Sequence, residues 1–267
     1  MKSPFETGLW VVFESDSRRL LRSKRFKILF AVTFFPSLIY LLNPSPSGEG
    51  IGPMLKSFEA LMLDLLSNYW LGIIGQLIAI IIMCDLLASE VERGTIRLLL
   101  AKPLRLSTLI AAKFLAGISV LTLLFGVPYT VIWLYNPLVY KTGLSGLWRD
   151  LPDLLIVLGV SVLILGLLGA LSMLVSVLIN RPLYASLTTF GVAFIFQFLV
   201  PQIPYLQNAE RYTLPYQTAV LLKAGFDRID LSRFRGVPSH SAIALSVLIP
   251  VLLFPAWAIL VRRDFPD

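Results

Sequence analysis

Residues able to do covalent or proton chemistry are scarce in this chain and poorly grouped. His240, the single histidine, follows Pro238 and Ser239 with no Cys or carboxylate at metal-ligand spacing, so it reads as a solvated loop histidine. Cys84 is the single cysteine, which excludes an intrachain disulfide and a disulfide-stapled secreted fold. No HExxH, GxSxG or GxxxxGKS/T motif is present, so any nucleotide energy must come from a partner. What remains is polar without being reactive. Gln76 and Gln197 interrupt long apolar stretches and suit hydrogen bonds between helices better than substrate contacts.

The most informative segment is Ser89-Glu90-Val91-Glu92-Arg93-Gly94-Thr95-Ile96-Arg97-Leu98-Leu99-Leu100-Ala101-Lys102-Pro103-Leu104-Arg105, which is both charged and strongly apolar. Ser89 and Glu92 have the spacing of a capping box, so a separate helix is expected to begin there. Gly94 permits a sharp turn, Thr95 can cap a helix after it, and Pro103 stops a helix at or before Lys102. Ile96 and Leu98 to Leu100 would be costly to leave in water. They need cover from this chain's own inner face, from lipid, or from a groove on another protein. A plainer reading is that the segment only caps the element before it and opens the one after.

The elements that must position these residues are set by composition. Of 267 residues, 57% are hydrophobic and 15% charged, where soluble domains hold roughly 45–50% and 25%. Six stretches free of Asp, Glu, Lys and Arg run 28–48, 65–84, 114–140, 154–180, 182–209 and 236–261. A membrane-crossing helix needs about 20 apolar residues, so each stretch holds one span. The expected fold is an all-α integral membrane protein, one domain over 1–267, with spans near 26–42, 69–87, 114–134, 154–179, 183–200 and 242–261. The start Met1-Lys2-Ser3-Pro4 lacks the apolar core and cleavage site of a removable signal, so the first span is expected to remain.

Phe5, Leu9, Val12, Phe13, Leu20 and Leu21 recur at helical spacing among charges, as in an amphipathic helix lying on the inner leaflet and feeding span one. Tyr69-Trp70 suit an interfacial aromatic belt at the start of span two. An outer loop is expected from Tyr135 to Asp153, a tight inner turn at Asn180-Arg181-Pro182, and a partly helical outer segment over 201–241. Gly166 with Ala170 and Ser172 with Ser176 place small residues four apart on span four, for close packing within the chain or a dimer seam. With the amino terminus inside, the loops divide the 23 Lys and Arg so that the +7 excess falls on the inner side. That places both termini in the cytoplasm. Nucleic acid is excluded, because no basic cluster interleaves with exposed aromatics. No span carries a charge at its middle, so proton-coupled transport lacks a relay.

Glu92, Gly94-Thr95, Leu98-Leu99-Leu100, Pro103 and Lys113, ten residues after that Pro, resemble the pattern of the ABC-2 type permeases, membrane subunits of type V-like ATP-driven exporters. Arg105 stands two residues after the Pro where members commonly have an Arg three after. Six spans, an amphipathic amino-terminal helix and a long outer connection before span six extend the likeness. The resemblance implies a permease that pairs with a second permease subunit, as a homodimer or heterodimer in the lipid bilayer of the cell membrane, and docks a separate ATP-binding subunit. It implies no cofactor on this chain, with ATP and magnesium held by the partner. The coupling surface would comprise Glu90, Val91, Glu92, Arg93, Gly94, Thr95, Ile96, Arg97, Leu98, Leu99 and Leu100, with Asn180 and Arg181 as a minor contact. A non-transporting anchor or scaffold, and a secondary carrier, are the competing functions.

Overall fold

The computed structural model describes residues 4–42, 58–92, 94, 106–139, 143–203, 209–226, 231–232 and 234–262. Regular structure among the described residues is helical throughout, as a chain in hydrocarbon requires if its backbone groups are to be paired within each segment. Six helices are long and apolar enough to cross a membrane, in agreement with the six charge-free stretches.

α1 (Pro4–Arg22) and α2 (Lys24–Leu42) meet at an elbow built by one side chain. The Ser23 hydroxyl donates to the Leu20 carbonyl at 2.7 Å, closing α1, and accepts from the Phe26 amide at 3.0 Å, opening α2. The amphipathic helix therefore does feed span one. One face of α1, including Val12, packs on Leu109 and Ala112 of the chain itself, while Trp10 and Val11 stay exposed.

α3 (Phe58–Leu65) runs through a π turn (Leu66–Trp70) toward α4 (Ile73–Glu92). Here the expected aromatic belt is corrected. Trp70 is fully buried, stacked edge-on against Tyr129 at 4.7 Å, and donates to the Thr33 carbonyl at 2.9 Å. The cause lies in α2. Pro36 has no amide hydrogen, so the Val32 carbonyl four residues earlier loses its helical donor. The Tyr69 hydroxyl takes that place at 2.7 Å. Tyr69 and Trp70 thus pin α4's approach to α2.

α5 (Leu106–Val139) and α6 (Gly143–Leu178) have 34 and 36 residues, about 50 Å each at about 1.5 Å per residue, well beyond a hydrocarbon core of about 30 Å. The loop expected from Tyr135 to Asp153 is therefore largely absent. Residues 135–139 and 143–153 are helical, and Trp133 donates to the Leu147 carbonyl at 3.2 Å to tie the two helices. After the Asn180-Arg181 turn, α7 (Pro182–Phe194) starts with Pro182, expected in the turn, at its first helical position, and continues through a π turn (Ile195–Leu199) and a short tight turn (Val200–Gln202). The segment over 201–241 does carry helix, in α8 (Leu214–Leu222), before α9 (Pro238–Arg262). His240 falls in the first turn of α9, exposed, rather than in a loop.

α6 is the central post, packed against α4, α5, α7 and α9, with α1 and α2 on α5. Burial follows that plan: the apolar window of α4 is 72% buried, those of α2 and α9 17%. Ser172 and Ser176 are fully buried on α6, each bonded to the carbonyl four residues back, so these small residues serve packing inside the chain.

Where the π turn gives way to α4, the chain passes so close to itself that a methyl on Gly75 would overlap the Trp70 carbonyl, while Gly159 on α6 has open space. Gly75→Ala is expected to cost about 3 kcal/mol or more through backbone overlap. Gly159→Ala should be neutral or slightly stabilising. Thermal unfolding of both variants in detergent checks this: equal midpoints would count against the close approach.

Candidate functional site

The ends of α4, α6 and α9 and the starts of α5 and α7 gather at one end of the bundle, through Leu87, Ile110, Val177, Ala256 and Leu260 on one side and Ala88, Val175 and Ala185 on the other. The described part of the segment singled out in the sequence, Ser89 to Glu92 with Gly94, lies at this end. α4 runs unbroken through Ser89 to Glu92, and the Ser89 hydroxyl donates back to the Asp85 carbonyl. Ser89 and Glu92 therefore do not open a new helix, because an established α-helix already satisfies the amides that a cap would serve. Gly94 closes α4 instead. Its φ is +68° and its amide donates to the Val91 carbonyl at 3.2 Å, a left-handed helix end that glycine adopts without strain.

The predicted residues separate accordingly. Glu90 is buried, Val91 is half-buried, and Glu92 and Gly94 are exposed. Arg93, Thr95, Ile96, Arg97, Leu98, Leu99 and Leu100 lie outside the described residues. Asn180 and Arg181 are exposed in the turn between α6 and α7, at the same end of the bundle, with the Arg181 guanidinium 5.9 Å from the centre of the Tyr184 ring.

Beneath this surface lies a charged cluster that the sequence reading did not assemble. Lys113 on α5 is completely buried. Its ammonium meets Glu90 of α4 at 2.7 Å, Asp16 of α1 at 3.0 Å and the Leu86 carbonyl at 3.2 Å, one acceptor for each of its three protons. Arg19 of α1 joins Glu90 at 3.2 Å and Asp16 at 3.4 Å, so two cations face two anions. Burying an unpaired charge costs several kcal/mol, so Lys113 holds its place only with both carboxylates in reach. The cluster locks α1, the last turns of α4 and the first turns of α5 together. A second pair, Arg25 with Asp85 at 3.0 Å, ties the elbow to α4. A signal was present: Val12, Asp16 and Leu20 share one stripe of α1, and a carboxylate on an apolar stripe requires a buried cation.

Gln76 and Gln197 do meet. Gln76 donates to Gln197 at 3.0 Å and to the Leu71 carbonyl at 2.9 Å, joining α4 to the π turn after α7. Cys84 is buried, its sulfur 3.7 Å from the Ser172 carbonyl. Among the described residues no group of His, Cys, Asp and Glu could hold a metal ion.

The family model described as ABC-2 family transporter protein matches residues 10–261. The chain belongs to that family. It is thus a multi-pass membrane component of an ABC transporter, the permease rather than the ATPase, and ABC-2 permeases work with an ATP-binding subunit. No curated protein matches this ABC-2 member in sequence.

Lys113→Met leaves Asp16 and Glu90 without their buried cation and with only the exposed Arg19 between them, and is expected to destabilise the protein by about 3–5 kcal/mol. Combining it with Asp16→Asn and Glu90→Gln should restore most of that loss, because the only charge then left without a carboxylate is Arg19, whose side chain is exposed to solvent. Thermal midpoints of the single and triple variants decide it. A triple variant no better than Lys113→Met alone would show that the carboxylates are not what Lys113 compensates.

Proposed function

We propose that this permease is half of the membrane core of an ATP-driven exporter, paired with a second permease subunit and driven by a separate ATP-binding subunit docked beneath the end of the bundle that carries Glu92 and Gly94. The observation that supports the reading most is the match to the ABC-2 family over residues 10–261. The local chemistry agrees with it. An apolar, charge-flanked stretch follows Gly94 in the sequence and needs a covering surface, and the exposed turn at Asn180 and Arg181 lies at the same end as Gly94.

In this reading the insert from Glu90 to Leu100 is the coupling element. Its two attachments, the end of α4 and the start of α5, are clamped together and to α1 by Lys113, Glu90, Asp16 and Arg19. A displacement of the insert then moves three helices as one body. Closure of the ATP-binding subunits must favour one of two packings of the spans, since a partner with equal affinity for both shifts nothing. The excess of Lys and Arg at this end supports a cytoplasmic position for it and for both termini.

Replacing Glu92 with Lys together with Leu99 with Asp should abolish co-purification of the ATP-binding subunit at equal expression of the permease. Gly94→Val, strained at a φ of +68°, should keep ATP hydrolysis by the complex while cutting export. Undiminished co-purification and export in these variants would overturn the coupling role. Sidedness has its own test. An impermeant maleimide added to intact cells should label Ser239→Cys and spare Ser15→Cys, against a background kept low by the burial of Cys84. The reverse pattern would invert the membrane orientation.

A further inference from the structure

α7 and α9 both rest on α6, and between them opens a groove of about 210 Å³, walled by Leu171, Val192, Phe196, Leu248 and Leu252 and roofed by 212–214. Measured by helix rise from the turn at Asn180 and Arg181, Val192 to Gln197 lie about 15–22 Å into the span, within the hydrocarbon. The wall is apolar except at one point. Gln197 is nine-tenths buried and lines the groove. Its oxygen is taken by Gln76, while among the described residues its Nε2 makes no hydrogen bond. An amide donor without an acceptor is unfavourable in hydrocarbon, where no water can serve it. It is also set in the π turn Ile195–Leu199, a helix distortion that recurs at functional sites.

We propose that this groove binds a single-chain amphiphile from the bilayer. The alkyl chain lies against Leu171, Val192 and Leu252, and an ester, ether or carbonyl oxygen accepts from Gln197 Nε2. At about 30 Å³ per water-sized group the space takes roughly seven chain carbons, the remainder of the molecule staying in lipid. Phe196 and Leu248 are exposed on the outer side of the groove, so the ligand arrives laterally. The site goes beyond the ATP-coupled reading and holds whether or not an ATP-binding subunit docks.

The probe is monopalmitoylglycerol with a photoreactive diazirine in its chain, added to the full chain in phosphatidylcholine vesicles, with labelled residues mapped by mass spectrometry. Labelling should concentrate on 192–197 and 248–252 and be displaced by unlabelled monopalmitoylglycerol. Leu248→Trp, at a position that already borders lipid, should reduce it about tenfold by filling the groove. Gln76→Leu combined with Gln197→Leu, which removes the donor without stranding its partner, should weaken the ester probe about tenfold while leaving a diazirine-bearing hexadecane unaffected. Labelling spread evenly over α2, α7 and α9, insensitive to competitor and to Leu248→Trp, would overturn the site in favour of ordinary boundary lipid. Disulfide linkage of two copies through Leu248→Cys would overturn it in favour of a second subunit in the groove.

Discussion

The arrangement at the basic end depends on one buried ammonium. Lys113 has no exposure to solvent, yet it stands at the start of a span where water would otherwise be near. Its three acceptors come from two different helices, Asp16 on α1 and Glu90 with the Leu86 carbonyl on α4. Such a cluster adds little net stability against an apolar replacement, because desolvation offsets most of the attraction. What it does impose is geometry. An ammonium that must keep both carboxylates within about 3 Å fixes the spacing of three helices.

The rest of the fold is shaped by a solvent that offers no hydrogen bonds. The helical irregularities around α2 and α4 are met by specific side chains. Pro36 frees the Val32 carbonyl and Tyr69 caps it. The π turn before α4 lets Trp70 reach the Thr33 carbonyl, and Gly75 clears the backbone crossing that results. Gln76 and Gln197 bond to each other across the interior. These polar contacts hold α2 and the π turn after α7 against α4, in a medium where apolar surface alone gives little preference for one helix neighbour over another.

The number of spans, the run of the amino-terminal helix into span one, the tight turn at Asn180-Arg181 and the use of Gln76 and Gln197 in hydrogen bonds between helices were legible in the sequence, because charge exclusion and polar rarity in apolar runs act over short windows. Other features were not. The extension of α5 over 135–139 and of α6 over 143–153 escaped because a polar, Trp-bearing stretch looks like a loop when its partner helix is unknown. From sequence Trp70 looks interfacial, because nothing local says that the carbonyls of Val32 and Thr33, 37 residues away from Tyr69 and Trp70, need donors. Ser89 and Glu92 have the letters of a helix start, yet sit at a helix end, since a capping motif works only where the preceding backbone is not already helical. Lys113 was noticed as part of a family pattern, and its partner Asp16 lies 97 residues earlier.

The central position of α6 has a consequence for how the protein is made. α4, the most buried span, packs chiefly on α6 and α7, both of which come after it on the chain. While the ribosome is still building those later helices, Gln76 lacks Gln197 and the α4 surface that will meet α6 is bare. The nascent α4 therefore has to wait beside the insertion machinery, or lean on α2 through Tyr69 and Trp70, until the second half of the molecule arrives. Assembly order is thus written into the packing: the early helices form a pinned but incomplete half, and α6 is the piece that converts it into a bundle.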